Sequence, residues 1–392
     1  TSGASNIAIG YDALTANTTT SQNIAIGQAA LATDASSENN VAIGHNAAAA
    51  LNGGTNSVYI GHQAGSAATI TGNFNVVVGQ NAALNAEGMS TSVFVGRAAG
   101  GGGAVAGAAN TVVGESAGFA LTSGASNVLL GFGAGIALDD GASNVLIGSS
   151  AGAAITSSQH TIAIGLNAAD ALNGTEHYNI AIGSNALGTE TTSNGNVAIG
   201  YTALENQNVA SANNVAVGHA AGLNLSTGTD SVYMGYNAGG VGVITGDNNV
   251  VVGTGAALNA TGMATSVYIG KQAGGNGIIT GASNICIGVD AGYAFTDNSN
   301  NIAIGHGALD AANLGENFNT AIGTNALGAE TSGSDGGTAV GHGALATQNR
   351  DGSKNTAIGY NALTALRATG GGNYGGIQNT AVGYSAGGSG VF

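Results

Sequence analysis

Apolar and polar positions recur along this chain in one short phrase. Residues 179–187 read Asn-Ile-Ala-Ile-Gly, two variable residues, then Ala-Leu, and nearly the same words stand at residues 6–14, 23–31, 301–309 and 355–363. The glycine that closes the first five residues can be followed through 22 copies, from Gly10 to Gly383, at steps of 17 or 18 except for a last step of 24. Self-similarity at such a period marks a solenoid, in which each coil packs mainly against its two neighbours.

Each copy reads physically as one coil. The residue after the asparagine is Ile or Val in most copies and Thr at Thr111, Thr320, Thr338, Thr356 and Thr380; the third is Ile, Val, Leu or Met. β-Branched residues two apart predict a three-residue strand with positions one and three on one face. Glycine then ends the strand, where the backbone turns or another backbone passes close. Three residues after it comes alanine in all 22 copies, which predicts a tight contact at that point. The remaining stretch is rich in Thr, Ser, Gly, Asn and Asp and reads as turns and loops.

The second strand position faces the other way. It is alanine in twelve copies, such as Ala25 and Ala181, and bulky in others, including Tyr59, Val77, Phe94, Tyr233, Val251 and Tyr268. Where it is alanine, the residue after the recurrent alanine is often Leu, as at Leu31 and Leu187; where it is bulky, that residue is Gly or Ala, as at Gly65 and Gly239. No copy pairs bulky with Leu, so the two positions share one packing volume, within a coil or across an interface. A strand apolar on both faces is expected to be covered on both. The pattern therefore places Tyr59, Val77, Phe94, Tyr233, Val251 and Tyr268 on an outward face buried against a second copy of the chain.

The asparagine that opens each copy is present in 16 of 22, with Ser57, Ser92, Thr161, Ser231, Ser266 and Gly337 as exceptions. Asn, Ser and Thr all bond neighbouring backbone at turns. Stacked coils would align them into a structural ladder whose rungs include Asn6, Asn23, Asn40, Asn179, Asn196, Asn301 and Asn355.

The fold expected is all-β: one parallel β-solenoid of about 22 coils over residues 1–392, oligomeric, with an irregular last coil at 360–392. A longer repeat lies over it. Residues 58–165 resemble 232–341 at an offset of 174, as in Val58-Tyr-Ile-Gly against Val232-Tyr-Met-Gly. The long insertion at 363–378, holding Arg367 and Tyr374, reads as a closing loop or a contact site. Both ends break off mid-pattern, so either the array continues or copies stack end to end into a filament.

Composition narrows the function. The 71 glycines without proline, beside 43% hydrophobic residues, fit a packed array and exclude collagen. Five basic against 20 acidic residues, a net charge of −15, argue against nucleic acid and against a polybasic membrane contact. No apolar run reaches the ~20 residues of a membrane helix, so no membrane insertion by this segment is expected. The single Cys286 stands at a core strand position and forms no internal disulfide. His45, His62, His219, His306 and His342 follow strand-ending glycines and read, with His160 and His177, as surface residues. Asp34, Asp139, Asp140, Asp247 and Asp335 fall at unrelated phases, unlike the aspartates of calcium-binding β-rolls. No catalytic residue, metal ligand set or cofactor motif stands out, and an enzyme is not expected.

At Asn-Ile-Ala-Ile-Gly-x-x-Ala-Leu the chain resembles the head repeats of YadA-like trimeric autotransporter adhesins, also found in phage tail-fibre and surface-fibre proteins. The resemblance runs through all 22 copies. It implies a left-handed parallel β-roll, a homotrimer with buried inner strands, and display outside the cell for adhesion to a host surface glycan or matrix protein. The coils here carry longer loops than that family's repeats, and nothing in these residues matches its neck, stalk or anchor. Receptor binding on a virion, through loops such as 193–196 or 363–378, is the alternative. Ice binding is a lesser one, since it needs a regular outward threonine ladder and Thr fills the first strand position in 5 of 22 copies.

Overall fold

The computed structural model describes residues 3–66, 69–173, 177–189, 192, 194–207, 212–275, 277–312, 315–329, 335–348, 354–366 and 378–388. The chain forms two compact units, Thr1–Asn196 and Val197–Phe392. Each is a parallel β-solenoid whose coils repeat every 17 or 18 residues, apart from a last step of 24 in the second, and among the described residues there is no helix.

In the first unit, eleven three-residue strands run from Ile7–Ile9 to Ile180–Ile182; in the second, eleven more run from Val197–Ile199 to Thr380–Val382, with two short strands at Thr347–Gln348 and Ala365–Leu366. Equivalent positions stack in register, as in Ile7↔Ile24, Ala8↔Ala25 and Ile9↔Ile26, or Thr338↔Thr356, Ala339↔Ala357 and Val340↔Ile358. Because each strand meets its own copy one coil on, whatever a position needs sterically it needs in every coil.

The strand-ending glycines satisfy the strictest need. All 22 have φ between +129° and +140°, a region that residues with a Cβ rarely adopt. Within each unit a methyl group added there would stand 2.2–2.8 Å from the carbonyl of the next coil's glycine, as at Gly114 and Gly235. The coil then bends through two left-handed residues. The second residue after each glycine is one, such as Asp12 (φ +57°) and Asn185 (φ +56°), and the fourth is another, such as Leu31 (φ +49°) and Leu204 (φ +50°). A third precedes the ladder asparagine, such as Gln22 (φ +63°) and Phe318 (φ +60°). A left-handed leucine costs about 1–2 kcal/mol. Burying its side chain returns about 1.5–3 kcal/mol, which offsets that cost at Leu31 and Leu204, both fully buried.

The inside of the coil corrects the sequence expectation. In 20 of the 22 three-residue strands the middle residue is buried and its two neighbours are half-exposed or exposed. Tyr59, Val77, Phe94, Tyr233, Val251 and Tyr268 are 0% exposed within a single chain. They form the solenoid's own core and have no surface to offer a second subunit. The shared volume lies inside one coil. A methyl group on Gly65 would stand 2.8 Å from the Tyr59 ring, one on Gly100 2.5 Å from Phe94, and one on Gly274 2.6 Å from Tyr268. Ile and Val are more hydrophobic than alanine, which made positions one and three look like the core. The cramped coil interior selects for volume instead, and a short residue opposite leucine fills it as well as a ring opposite glycine.

Candidate functional site

Two structural rows and two outward rows run along each unit. The first is the asparagine ladder. Asn6 Oδ1 accepts the N–H of Asn23 at 2.9 Å, Asn23 Oδ1 that of Asn40 at 2.9 Å, and Asn40 Oδ1 that of Ser57 at 3.0 Å. Many of the amides also donate across their own coil, as Asn40 Nδ2 does to the Gly54 carbonyl at 2.9 Å. Asn179 accepts from Asn196 at 3.0 Å, Asn301 from Asn319 at 2.9 Å and Asn355 from Asn379 at 2.8 Å. The ladder satisfies buried backbone donors.

Serine enters this ladder by a rule that sequence reasoning missed. Ser57, Ser92, Ser231 and Ser266 each stand two residues before a buried aromatic, Tyr59, Phe94, Tyr233 and Tyr268. The shorter side chain leaves room for the ring and keeps the rung, since Ser57 Oγ accepts the Asn75 N–H at 3.0 Å. The Tyr59 hydroxyl lies beside Ser57 and Asn75, and burial pushes it up to about 12. Only the pairing of Ser with an aromatic two residues on, four times over, signals this in the sequence.

Thr161 fits neither pattern. It accompanies Ala163, and its buried Oγ1 has no hydrogen-bond partner. Thr161→Asn restores the residue that accompanies alanine in the neighbouring coil at Asn179, and is expected to raise stability by about 1–2 kcal/mol. Urea denaturation followed by circular dichroism measures it; a loss of stability would show that the threonine methyl is needed for packing.

Cys286 lies in the core row, fully buried; burial pushes its thiol well above the ordinary range and makes it a packing residue. Among the described residues no group of three or more His, Cys, Asp or Glu is placed to hold a metal ion.

The outward rows are what the solenoid presents. Strand positions one and three carry Ile, Val, Leu, Met or Thr throughout, with no charged residue in any of the 22 strands. They give each unit two largely aliphatic ladders, half-buried to about two-fifths exposed away from the outermost strands, as at Val76, Leu130, Met234 and Ile358, and more exposed at Ile9 and Val382. The second unit also stacks Thr320, Thr338, Thr356 and Thr380 in consecutive coils.

Beside them runs a row formed by the residue after each glycine. Here His45 stacks on His62 with ring centres 5.1 Å apart; His219 lies between Tyr201 and Tyr236 at 5.2 and 5.0 Å; Tyr360 lies between His342 and Tyr384 at 4.9 and 5.4 Å. Arg97 and Glu115 occupy successive places in the same row and form a salt bridge. The histidines at these places are thus surface residues that stack on their neighbours in register. His160 stacks on Tyr178 in the row before the asparagines.

The chain matches no protein-family model, and no curated protein matches it significantly. Its chemistry must be read from these rows alone. They offer aliphatic surface, stacked rings, amides and few charges, which suits contact with another surface. Of the loops considered for recognition, residues 367–377 and Ser193 lie outside the described residues. Asn194 is described, and its Oδ1 accepts the His177 N–H at 2.6 Å, which ties it to the preceding coil.

Proposed function

We propose that this protein is an extracellular structural and adhesive fibre protein, an adhesin-head-like β-roll whose copies associate through the outward strand face and which contacts a host surface glycan or matrix protein. The observation that supports it is the pair of uncharged aliphatic ladders along each unit. Soluble monomers seldom expose contiguous apolar patches beyond a few hundred Å², and a second copy of the chain offers the same repeating face in matching register. The trimer, the handedness and the adhesive role come from the resemblance at Asn-Ile-Ala-Ile-Gly-x-x-Ala-Leu.

Light scattering behind size exclusion tests the reading. A mass near three times the 37.2 kDa of one chain is expected, and a large mass rising with concentration would indicate filament assembly through the same contacts. Ile147→Lys with Ile164→Lys places two charges side by side on the outward face and should reduce the species to single chains without loss of the β circular dichroism signal. A wild-type protein that stays at one chain at every concentration overturns the association.

A further inference from the structure

In the second unit the row of residues after the glycines carries no ring between Tyr236 and His306, and a cleft opens at the start of that gap. Tyr236 stacks on His219 at 5.0 Å with one ring face. On its other side the next coil offers Thr254 and Gly255, and one coil further stands Lys271. Together with Asn237, Leu258 and Gln272 they line a cleft of about 290 Å³. Gly255, in the left-handed region at φ +61°, leaves this space open: a methyl group there would meet only the Gln272 side chain, at 3.7 Å. Among the described residues the ion pair is that of Arg97 with Glu115, so the exposed Lys271 has no acidic partner.

The coil spacing fixes what fits. Rings in this row stack at 4.9–5.4 Å in the second unit. A ring-shaped ligand on the open face of Tyr236 would stand level with Thr254, one further spacing of about 4.8 Å from the level of Lys271. The walls then specify its chemistry. The tyrosine face suits an apolar C–H face, the Thr254 hydroxyl and the Asn237 and Gln272 amides suit hydroxyl groups, and the ammonium suits a carboxylate.

The same places 174 residues earlier provide a comparison within the chain. There His62 stacks on His45, as Tyr236 does on His219. The next coil carries the larger Gln80 and Asn81, and the cation Arg97 is already paired with Glu115, where the second unit has the uncharged Val289. An open ring face and an unpaired cation two coils apart are thus not a by-product of the repeat.

We propose that the cleft between Tyr236 and Lys271 binds one acidic pyranose residue, a uronic acid or a similar carboxylated sugar, with its C–H face on Tyr236 and its carboxylate at Lys271. The inference rests on the adhesive reading for its purpose and on the cleft for its chemistry. Calorimetry or saturation-transfer NMR on the full chain tests it with methyl β-glucuronide, methyl β-glucoside and sodium acetate as probes. The glucuronide is expected to bind with a Kd on the order of 1 mM, and the other two about fivefold or more weakly.

Tyr236→Ala, which removes the stacking face, and Val289→Glu, which gives Lys271 the kind of partner Arg97 has, should each weaken glucuronide binding about fivefold or more. Arg97→Ala should leave it unchanged. Both test substitutions lie at the surface, and a thermal melt checks that they fold. Equal binding of glucoside overturns the role of Lys271, equal binding of acetate reduces the site to a simple anion contact, and no glucuronide binding overturns the proposal outright. Light scattering on the same samples keeps this separate from assembly: a failed sugar site in an assembled protein leaves the fibre reading intact.

Discussion

Gly148→Ala is expected to remove about 4–5 kcal/mol or more from the first unit and to open its coils locally. Gly148 has φ +135°, where an L-residue is strained by about 1–3 kcal/mol. The new methyl would also stand 2.4 Å from the carbonyl oxygen of Gly165. Neither coil can retreat cheaply, because the Gly165 N–H donates to the Ile147 carbonyl at 2.8 Å and Ile147 is in register with Ile164. Clash and strain therefore add to lost ladder bonds, the kind of combination behind the largest single-site effects. Gly133→Ala is the control. Gly133 also has positive φ, at +59°, but a methyl group there meets nothing within 4 Å. Its substitution should cost about 1–2 kcal/mol, the left-handed penalty alone. Equal losses in urea denaturation would show that backbone conformation, rather than the approach of neighbouring coils, fixes these glycines.

The second large effect is expected at Asn127→Ala, at about 3–4 kcal/mol. Asn127 is fully buried; its Oδ1 accepts the Asn144 N–H at 3.0 Å, and its Nδ2 donates to the Gly141 carbonyl at 2.9 Å. Removing the amide strands both backbone groups away from water, at about 1–3 kcal/mol each. Asn127→Ser should lose only about half as much, because a serine at this place can still accept from the next coil, as Ser92 does from Asn110 at 3.1 Å. Hydrogen exchange adds a local readout, with the Asn144 amide losing most protection in the alanine variant. Matching losses for alanine and serine would mean that the rung contributes through packing instead of hydrogen bonding.

By itself the sequence determined the period, the three-residue strands, the glycine that ends each, the asparagine ladder and the exchange of bulk between two positions. All of these are needs met again in every coil, so repetition wrote them into the residues: Gly10 to Gly383 share one backbone demand, and Asn6 to Asn379 one unsatisfied donor. Alternation along a strand separates two faces without saying which is inside. That was decided by closure of the coil, through left-handed bends at residues such as Gln22, Ala29 and Leu31, which turns Tyr59 and Phe94 inward and Ile60 and Val95 outward. The stacked rings of His219 and Tyr236 and the cleft reaching to Lys271 were likewise decided only in three dimensions. They join residues 17 to 35 positions apart, and only the stacking of coils brings such residues level, because neighbouring strands lie about 4.8 Å apart whatever the length of chain between them.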